Sequence, residues 1–380
     1  MGKTTIEWTA NRRPDGTLIP GFTFNPWRGC TKVSAGCKHC YAETLSKRNP
    51  SVLGIWGPNG TRVPAAESYW RQPLIWNANA RSEGVRRRVF CASLADVFED
   101  RVELHPHRLR LLRLIHDTPD LDWLLLTKRP ENIVPALATA FDWACAEMLE
   151  KVFANDPTDD CEGFRDWLNA WIEGNPPANV WLGTSVENQE AANERIPHLL
   201  ACPAAVRFLS CEPLLGPVDL KQWVTPVEWR RWIGRCVDCG HTAEAGQFFG
   251  TDYWGEADEY PCPKCGSENE PVEVGKIHWV IVGGESGPKA RPMHPDWARS
   301  LRDQCQTAGV AFFFKQHGEY LHEDQVPEQE AWEALMASGS HHKWEDGVSV
   351  KVGKKAAGRL LDGRTWDELP TAIGKEVAHA

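Results

Sequence analysis

Six short apolar runs, rich in β-branched and aromatic residues, recur along the chain. They are Val89–Ser93, Leu121–Thr127, Val180–Ser185, Val206–Cys211, Trp279–Gly284 and Val310–Lys315. Stretches with helical periodicity lie between them, at His105–His116, Glu187–Leu200 and Pro295–Gln306. Near-continuous apolar strands that alternate with helices are typical of a parallel sheet buried on both faces. With one more strand before residue 25, the pattern predicts an α/β fold, a partial or complete (β/α) barrel of about seven strands.

Polar residues follow each of these runs, at the positions where barrel enzymes carry their chemistry. The candidates are Ser93, Asp96, Lys128, Arg129, Thr184, Ser185, Glu187, Glu212, Gly283, Gly284, Glu285 and Gln316. For a single residue such as Ser93 or Asp96, a helix N-cap is the alternative interpretation. N-caps explain the complete set poorly, and we therefore expect a functional site at this edge of the sheet.

Three cysteines with C-x6-C-x2-C spacing, Cys30, Cys37 and Cys40, precede the first helical stretch. Three thiolates are one ligand short of a closed tetrahedral zinc site or a closed iron–sulfur site. The next cysteine, Cys91, is distant in sequence. The spacing therefore predicts a 4Fe–4S cluster held at three irons, with the fourth iron open to a ligand. A zinc site completed by His39 or by a distant residue is the alternative.

Two C-x2-C pairs separated by 22 residues form a zinc-ribbon pattern, made by Cys236, Cys239, Cys262 and Cys265. We predict that residues 221–275 are an inserted ribbon that tetrahedral zinc folds, because the segment has little core of its own. A second iron–sulfur cluster is the alternative. A second insertion, acidic and rich in tryptophan, spans about residues 136–178 and predicts additional helices.

Composition narrows the functional classes. The net charge of −10 argues against a broadly basic DNA-binding face, but it leaves room for a local basic groove. The candidate groove contains Arg62, Arg71, Arg81, Arg86, Arg87 and Arg88, interleaved with Trp56, Trp70 and Trp76. A solvated loop with its tryptophans packed on the barrel is the alternative. Thirteen cysteines, mostly at metal-type spacings, favour a reducing compartment, and the N-terminus lacks a signal-peptide hydrophobic region. The sequence also contains no apolar run of roughly 18 residues. Together these features predict a cytoplasmic protein with no membrane partner.

Taken in order, the motifs resemble those of a phage and bacterial family of three-cysteine-motif proteins of unknown function. The likeness covers nearly the whole chain outside the insertions. The motifs are Asn25–Cys30, Cys37–Tyr41, Ser93-x2-Asp96, Leu126–Pro130, Leu182–Asn188, Cys211–Pro213, Val282–Gly287 with Arg291-Pro292, Phe314–Gln316 and Lys354–Trp366. The cysteine loop itself is similar to that of radical S-adenosylmethionine (SAM) enzymes, and the family is distantly similar to spore-photoproduct-lyase-type proteins.

This resemblance implies a radical SAM barrel formed by residues 1–220 and 276–318, with a C-terminal cap at 319–380. It implies that SAM chelates the open iron and is cleaved by an electron from the cluster, with a flavodoxin- or ferredoxin-type protein as electron donor. The implied cofactor-binding residues are Ser93, Asp96, Thr184, Ser185, Glu187, Gly283, Gly284 and Glu285.

The same resemblance implies further roles around the cofactor. Lys128, Arg129 and Arg291 would neutralise a carboxylate or phosphate. Lys128 and Glu212 would be catalytic, and Arg129, Arg291 and Gln316 would face the substrate. Cys211 or Cys91 would return a hydrogen atom, although a buried structural cysteine is the alternative for both. The expected substrate is DNA, RNA or a nucleotide. The alternatives are a non-enzymatic zinc or iron–sulfur module that binds nucleic acid, and a hydrolase that uses Asp96, Glu212 or Glu285.

Overall fold

Seven parallel strands form one curled, half-barrel sheet in the computed structural model, in the same order as they occur along the chain. They are β1 (Phe22–Thr23), β2 (Arg87–Cys91), β3 (Leu121–Thr127), β4 (Val180–Ser185), β5 (Val206–Cys211), β6 (Trp279–Gly283) and β7 (Ala311–Gln316). The sheet has two edges, at β1 and β7. The predicted α/β fold with a partial barrel is thus confirmed.

The structure describes residues 4, 6–13, 15–154, 161–224, 276–326 and 328–370, and five short strands within residues 225–275. Those five strands are Ile233–Arg235, Thr242–Glu244, Phe249–Thr251, Ala257–Glu259 and Val272–Glu273. The four predicted zinc-ribbon cysteines, Cys236, Cys239, Cys262 and Cys265, lie outside the described residues.

Helices connect successive strands and cover the convex face of the sheet. The longer ones are α1 (Tyr41–Arg48), α2 (Gln72–Glu83), α3 (His105–His116), α4 (Ile133–Ala154), α5 (Cys161–Ile172), α6 (Gln189–Leu200) and α7 (Pro295–Ala308). Single-turn helices lie at Pro50–Leu53, Glu67–Trp70, Lys221–Val224 and Lys354–Ala357, and short two-stranded ribbons pair Asn11–Arg12 with Leu18–Ile19 and Trp27–Arg28 with Val63–Pro64. Helices α4 and α5 occupy most of the segment for which additional helices were predicted.

Large aromatic side chains fill the concave face of the sheet. Trp8, from the N-terminal segment, packs against Phe90, Phe208 and Trp279. Gly183 on β4 leaves room for the Phe208 ring, since a Cβ at this position would lie 2.3 Å from that ring. The lower part of the half-barrel is therefore packed solid, and space for a ligand is left at the C-terminal ends of the strands.

The alternate residues of each strand point outward into a second core beneath the helices. Cys91 and Cys211 belong to this outer core and are fully buried in it. Burial raises the pKa of both thiols, because an apolar environment disfavours the thiolate. Both side chains face away from the concave side of the sheet, which favours the alternative of a buried structural cysteine over a hydrogen-atom donor.

The C-terminal segment covers the edge strand β7. The amide of Phe314 donates to the carbonyl of Trp366 at 2.9 Å, and the amide of Glu368 donates to the carbonyl of Phe312 at 3.2 Å. These bonds satisfy backbone groups that an open edge would present to other chains.

A small antiparallel sheet precedes this segment. It contains β8 (Tyr320–His322), β9 (His341–Lys343) and β10 (Val348–Lys351), with helix α8 (Gln329–Ser338) between the first two strands.

Candidate cysteine pocket

A pocket of about 140 Å³ opens at the C-terminal ends of strands β2, β3 and β4. All three motif cysteines line it. With them lie five of the polar residues expected at the strand ends. The lining is formed by Cys30, Thr31, Lys32, Val33, Gly36, Cys37, Cys40, Trp56, Ala92, Ser93, Ala95, Asp96, Leu126, Thr127, Lys128, Arg129 and Ser185.

Each cysteine sulfur in the pocket has a polar neighbour. The Arg129 guanidinium approaches Cys30 Sγ at 3.9 Å, and Ser34 Oγ lies 3.8 Å from Cys37 Sγ. Cys40 is the N-cap residue of α1. Burial raises the pKa of its thiol, and the nearby amides of Glu43 and Ala42 partly oppose this effect. A helix N-terminus favours negative charge, so this position suits a thiolate ligand.

The donor set fits a polynuclear cluster better than a single ion. All three cysteines are free. Tetrahedral zinc would hold its thiolate sulfurs about 3.8 Å from one another, given a zinc–sulfur bond of about 2.3 Å. Within the described part of the chain, only one group of three ligand atoms lies within 4.8 Å of one another, and it contains none of these cysteines. At least one pair of these sulfurs is therefore more than 4.8 Å apart, farther than one zinc ion would hold them, whereas a cluster takes its thiolates on different irons.

Burial raises the pKa of the Cys30 thiol to about 12, and the adjacent Arg129 only partly opposes this effect. In the absence of a metal, Cys30 is consequently a neutral thiol at physiological pH. A metal or cluster has to displace its proton, because the thiolate is the ligand form.

Asp96 and Arg129 anchor the start of the cysteine loop. The guanidinium donates to Asp96 Oδ2 at 2.7 Å and to the carbonyl of Thr31 at 2.7 Å. Both partners of the ion pair are nearly buried, with side chains 9% and 7% exposed. A second buried ion pair, Arg62 with Glu99, lies beside the first. The Arg62 guanidinium also donates to Thr31 Oγ1 at 2.8 Å.

Glu187 anchors the middle of the loop. Its Oε1 accepts the amide of Gly36 at 3.1 Å, and its Oε2 accepts from Arg195 at 2.9 Å. Burial alone would raise the pKa of Glu187, but Lys128 and Arg195 bring it below its ordinary value. Glu187 is therefore a carboxylate at neutral pH.

Glu285 anchors the far side of the same loop. Arg291 donates to it from the backbone amide and from two guanidinium nitrogens, at 2.8, 2.8 and 2.6 Å. Arg291 also donates to the carbonyl of Ala35 at 3.1 Å, and His39 Nδ1 lies 3.3 Å from Glu285 Oε2. Residues near both ends of the sheet thus fix the cysteine loop over the strand ends.

Residues 3–370 match a family described as "Protein of unknown function (DUF5131)". The chain belongs to this family. No curated protein and no solved structure matches it. In the described residues of this DUF5131 member, no helix combines the length and the apolarity needed to cross a bilayer.

Several predicted site residues of this DUF5131 chain lie outside the pocket. The Thr184 hydroxyl faces away from it and donates to the carbonyl of Thr127 at 3.0 Å. Glu212 forms an ion pair with Lys315 at 3.0 Å. Gln316 is buried and donates from Nε2 to the carbonyl of Gly284 and to Ser286 Oγ.

The two glycines at the end of β6 serve packing within the chain. A Cβ on Gly283 would lie 2.5 Å from Glu212 Oε1, and one on Gly284 would lie 1.9 Å from the carbonyl oxygen of His317. Protein atoms already occupy the space beside both glycines, which favours a packing role over the close approach of a ligand.

The arginine-rich segment does not form an open basic groove. Arg81 pairs with Asp120, Arg86 with Asp122, and Arg87 with Glu83. Trp70 and Trp76 are buried in the core, whereas Trp56 lines the cysteine pocket. These arginines are largely neutralised by partners within the chain.

Sequence reasoning missed Arg195 and Glu99, which hold site residues in place. Arg195 carried a detectable signal, since it shares one helical face with the apolar residues Ala192 and Leu199. A charged side chain on such a face requires a buried partner, and Glu187 provides it. Glu99 carried no comparable signal.

Proposed function

We propose that this DUF5131 protein is a radical SAM enzyme whose Cys30, Cys37 and Cys40 hold a 4Fe–4S cluster. A cluster bound in this way, with SAM on its free iron, supplies a 5′-deoxyadenosyl radical when it is reduced. The observation that carries the proposal is the position of the three sulfurs. They line one pocket at the mouth of a parallel half-barrel, and at least one pair of them lies more than 4.8 Å apart.

The polar residues in the pocket lining and around the cysteine loop then divide into two groups. Asp96, Arg129 and Glu187 are engaged by other protein groups and act as positioning residues. Lys128 lies in the pocket with its Nζ 4.0 Å from the nearest carboxylate oxygen, on Glu187. Its ammonium group is the cation that we assign to a ligand carboxylate. Ser93 and Ser185 contribute hydroxyl groups to the same lining.

For the substrate we propose a nucleic acid or a nucleotide, with a flavodoxin- or ferredoxin-type protein as electron donor. The family resemblance and the zinc-ribbon pattern support this class. The arginine-rich segment no longer does, because its charges are paired. The non-enzymatic nucleic-acid-binding module has less support for the same reason.

The test is anaerobic reconstitution of the full chain, followed by measurement of iron, sulfide and absorption near 400 nm. We expect about four irons per three-cysteine site and release of 5′-deoxyadenosine on reduction with SAM. Cys30→Ala should lose both signals, whereas Cys145→Ala, a half-buried cysteine in α4, should keep both. Stimulation of SAM cleavage by DNA, RNA or a nucleotide would identify the substrate class. A reconstituted wild-type protein with a full cluster and no SAM cleavage would refute the enzyme proposal.

A further inference from the structure

Two histidines and an aspartate converge at the junction between the half-barrel and the C-terminal sheet. His294 precedes α7, His322 ends β8, and Asp346 lies in the turn between β9 and β10. One ligand atom of each lies within 4.8 Å of the other two. None of the three lines the cysteine pocket.

The local packing leaves one of these ligand atoms without a partner. His322 is 4% exposed, and its Nε2 is buried without a hydrogen-bond partner. On the other side of the ring, Nδ1 accepts the backbone amide of Asp324 at 3.3 Å and lies 3.0 Å from Asp324 Oδ1. With a cation on Nε2 the ring proton would lie on Nδ1, and the Asp324 carboxylate is placed to accept it there.

The turn that carries Asp346 packs closely against His322 Nε2. A Cβ on Gly347 would lie 2.9 Å from His322 Nε2, so only glycine allows the turn to come this close. The Asp346 carboxylate lies 3.1 Å from His294 Nε2, and the Trp344 ring packs edge-on against His294 at 4.9 Å.

We propose that His294, His322 and Asp346 form a binding site for a divalent transition-metal ion of the zinc class. Two imidazole nitrogens and one carboxylate are a common set for such ions and leave a coordination position for water. The orphaned, buried Nε2 of His322 is the observation that carries the proposal. This site would join the start of α7 to β8 and to the β9–β10 turn, and it is independent of the function proposed for the cysteines.

In the metal-free chain, His294 Nδ1 accepts the amide of Asp296 at 3.2 Å, and the proton on Nε2 points to Asp346. A cation on Nε2 requires this proton to move to Nδ1. The Asp296 carboxylate, whose Oδ2 lies 3.9 Å from Nδ1, accepts it there after a small rotation. Each histidine therefore has a carboxylate within 4 Å of its Nδ1, Asp324 beside His322 and Asp296 beside His294, that can hold this proton when a cation binds.

The test is zinc binding by the full chain, with zinc counted by mass spectrometry after removal of the excess and with thermal unfolding recorded in parallel. Wild type should bind one zinc more than Asp346→Asn or His322→Gln. Asp346→Asn can keep the hydrogen bond from His294 but loses the charged ligand. We expect it to lose affinity by more than the roughly 10- to 100-fold that removal of an outer partner causes. Asp303→Asn, an exposed aspartate on α7, is the matched control and should bind as wild type.

Cobalt separates this site from the cysteines. Cobalt at a nitrogen and oxygen set lacks the intense near-ultraviolet absorption of a thiolate site. The cobalt that wild type binds in excess of Asp346→Asn should therefore show only weak visible bands. Equal zinc content in wild type and both variants, or a difference spectrum with thiolate absorption, would overturn the proposal. The first result would mean that water serves His322 Nε2.

Discussion

Replacing Asp96 with asparagine separates two roles for this residue. If Asp96 binds SAM directly, Asp96→Asn should load a cluster normally and lose only SAM binding. The structure favours the other role, because four donors within the protein already occupy the carboxylate. The Thr127 hydroxyl lies at 2.6 Å, the Arg129 guanidinium at 2.7 Å, and the amides of Phe98 and Lys128 at 3.1 Å.

The expected loss follows from this geometry. Asparagine has one acceptor oxygen and no charge, so Arg129 loses its buried counterion. The remaining carboxylate near its guanidinium is that of Glu99, with Oε1 at 3.8 Å. Removing one partner of a buried ion pair typically costs 3–5 kcal/mol, and we expect about 3 kcal/mol here because the amide oxygen retains one bond. Arg129 also holds the carbonyl of Thr31 next to Cys30, so the cysteine loop should loosen.

Two measurements test the reasoning without reference to enzyme activity. The free energy of unfolding, from chemical denaturation of the metal-free protein, should fall by about 3 kcal/mol. The iron content after identical reconstitution should fall relative to wild type even when SAM is absent. Asp303→Asn, whose side chain is exposed, should change neither quantity. Wild-type stability and iron content in Asp96→Asn would refute the positioning role and return Asp96 to the list of SAM ligands.

Two further predictions concern the other ion pairs. Glu285→Gln weakens the Arg291 contact that supports the cysteine loop, so this variant should retain less iron on dilution than wild type. Glu190→Gln, at an exposed position, is the control and should retain as much as wild type. Equal iron retention in the two variants would contradict the role of Glu285 as an anchor. Hydrogen bonds from Arg299 lower the pKa of Asp362 to about 2 from its ordinary 3.8, so its stabilisation is complete above pH 4 and is lost as the pH falls toward 2. Between pH 4 and pH 2, the free energy of unfolding of Asp362→Asn should therefore fall less than that of wild type, by about 1 kcal/mol after solvent screening. An unchanged acid profile would contradict the assignment.

The strands could be predicted because buried parallel strands have a simple signature. Every predicted run overlaps a strand of the main sheet, with ends that differ by at most two residues. The largest difference is at β2, which begins at Arg87 and ends at Cys91. Arg88 extends this strand through long-range contacts, a bond of 2.6 Å to the carbonyl of Ala10 and a cation–π contact with Trp181. Neither partner is visible from the local sequence.

The candidate site was predictable in position but not in detail. Polar residues at strand ends indicated the edge of the sheet at which the cysteine pocket lies, because the topology of parallel strands brings those ends together. Which of them contact a ligand depends on partners distant in sequence. Glu187 meets Gly36, and Glu285 meets His39. The sequence alone does not distinguish a carboxylate that pairs within the protein from one that binds a cofactor.

The cysteine loop has little regular structure of its own, which explains the number of buried charges around it. Between Arg28 and α1, the described chain contains one short 3-10 turn, Ala35–Cys37. Backbone hydrogen bonds alone cannot fix the positions of the three sulfurs in such a segment. Charged anchors do so instead, at Arg129, Glu187 and Arg291, and each comes from the end of a different strand or the loop after it. Loss of SAM cleavage after mutation of an anchor therefore has two explanations, a missing ligand contact or a missing cluster. Iron content has to be compared before any of these residues is assigned to chemistry.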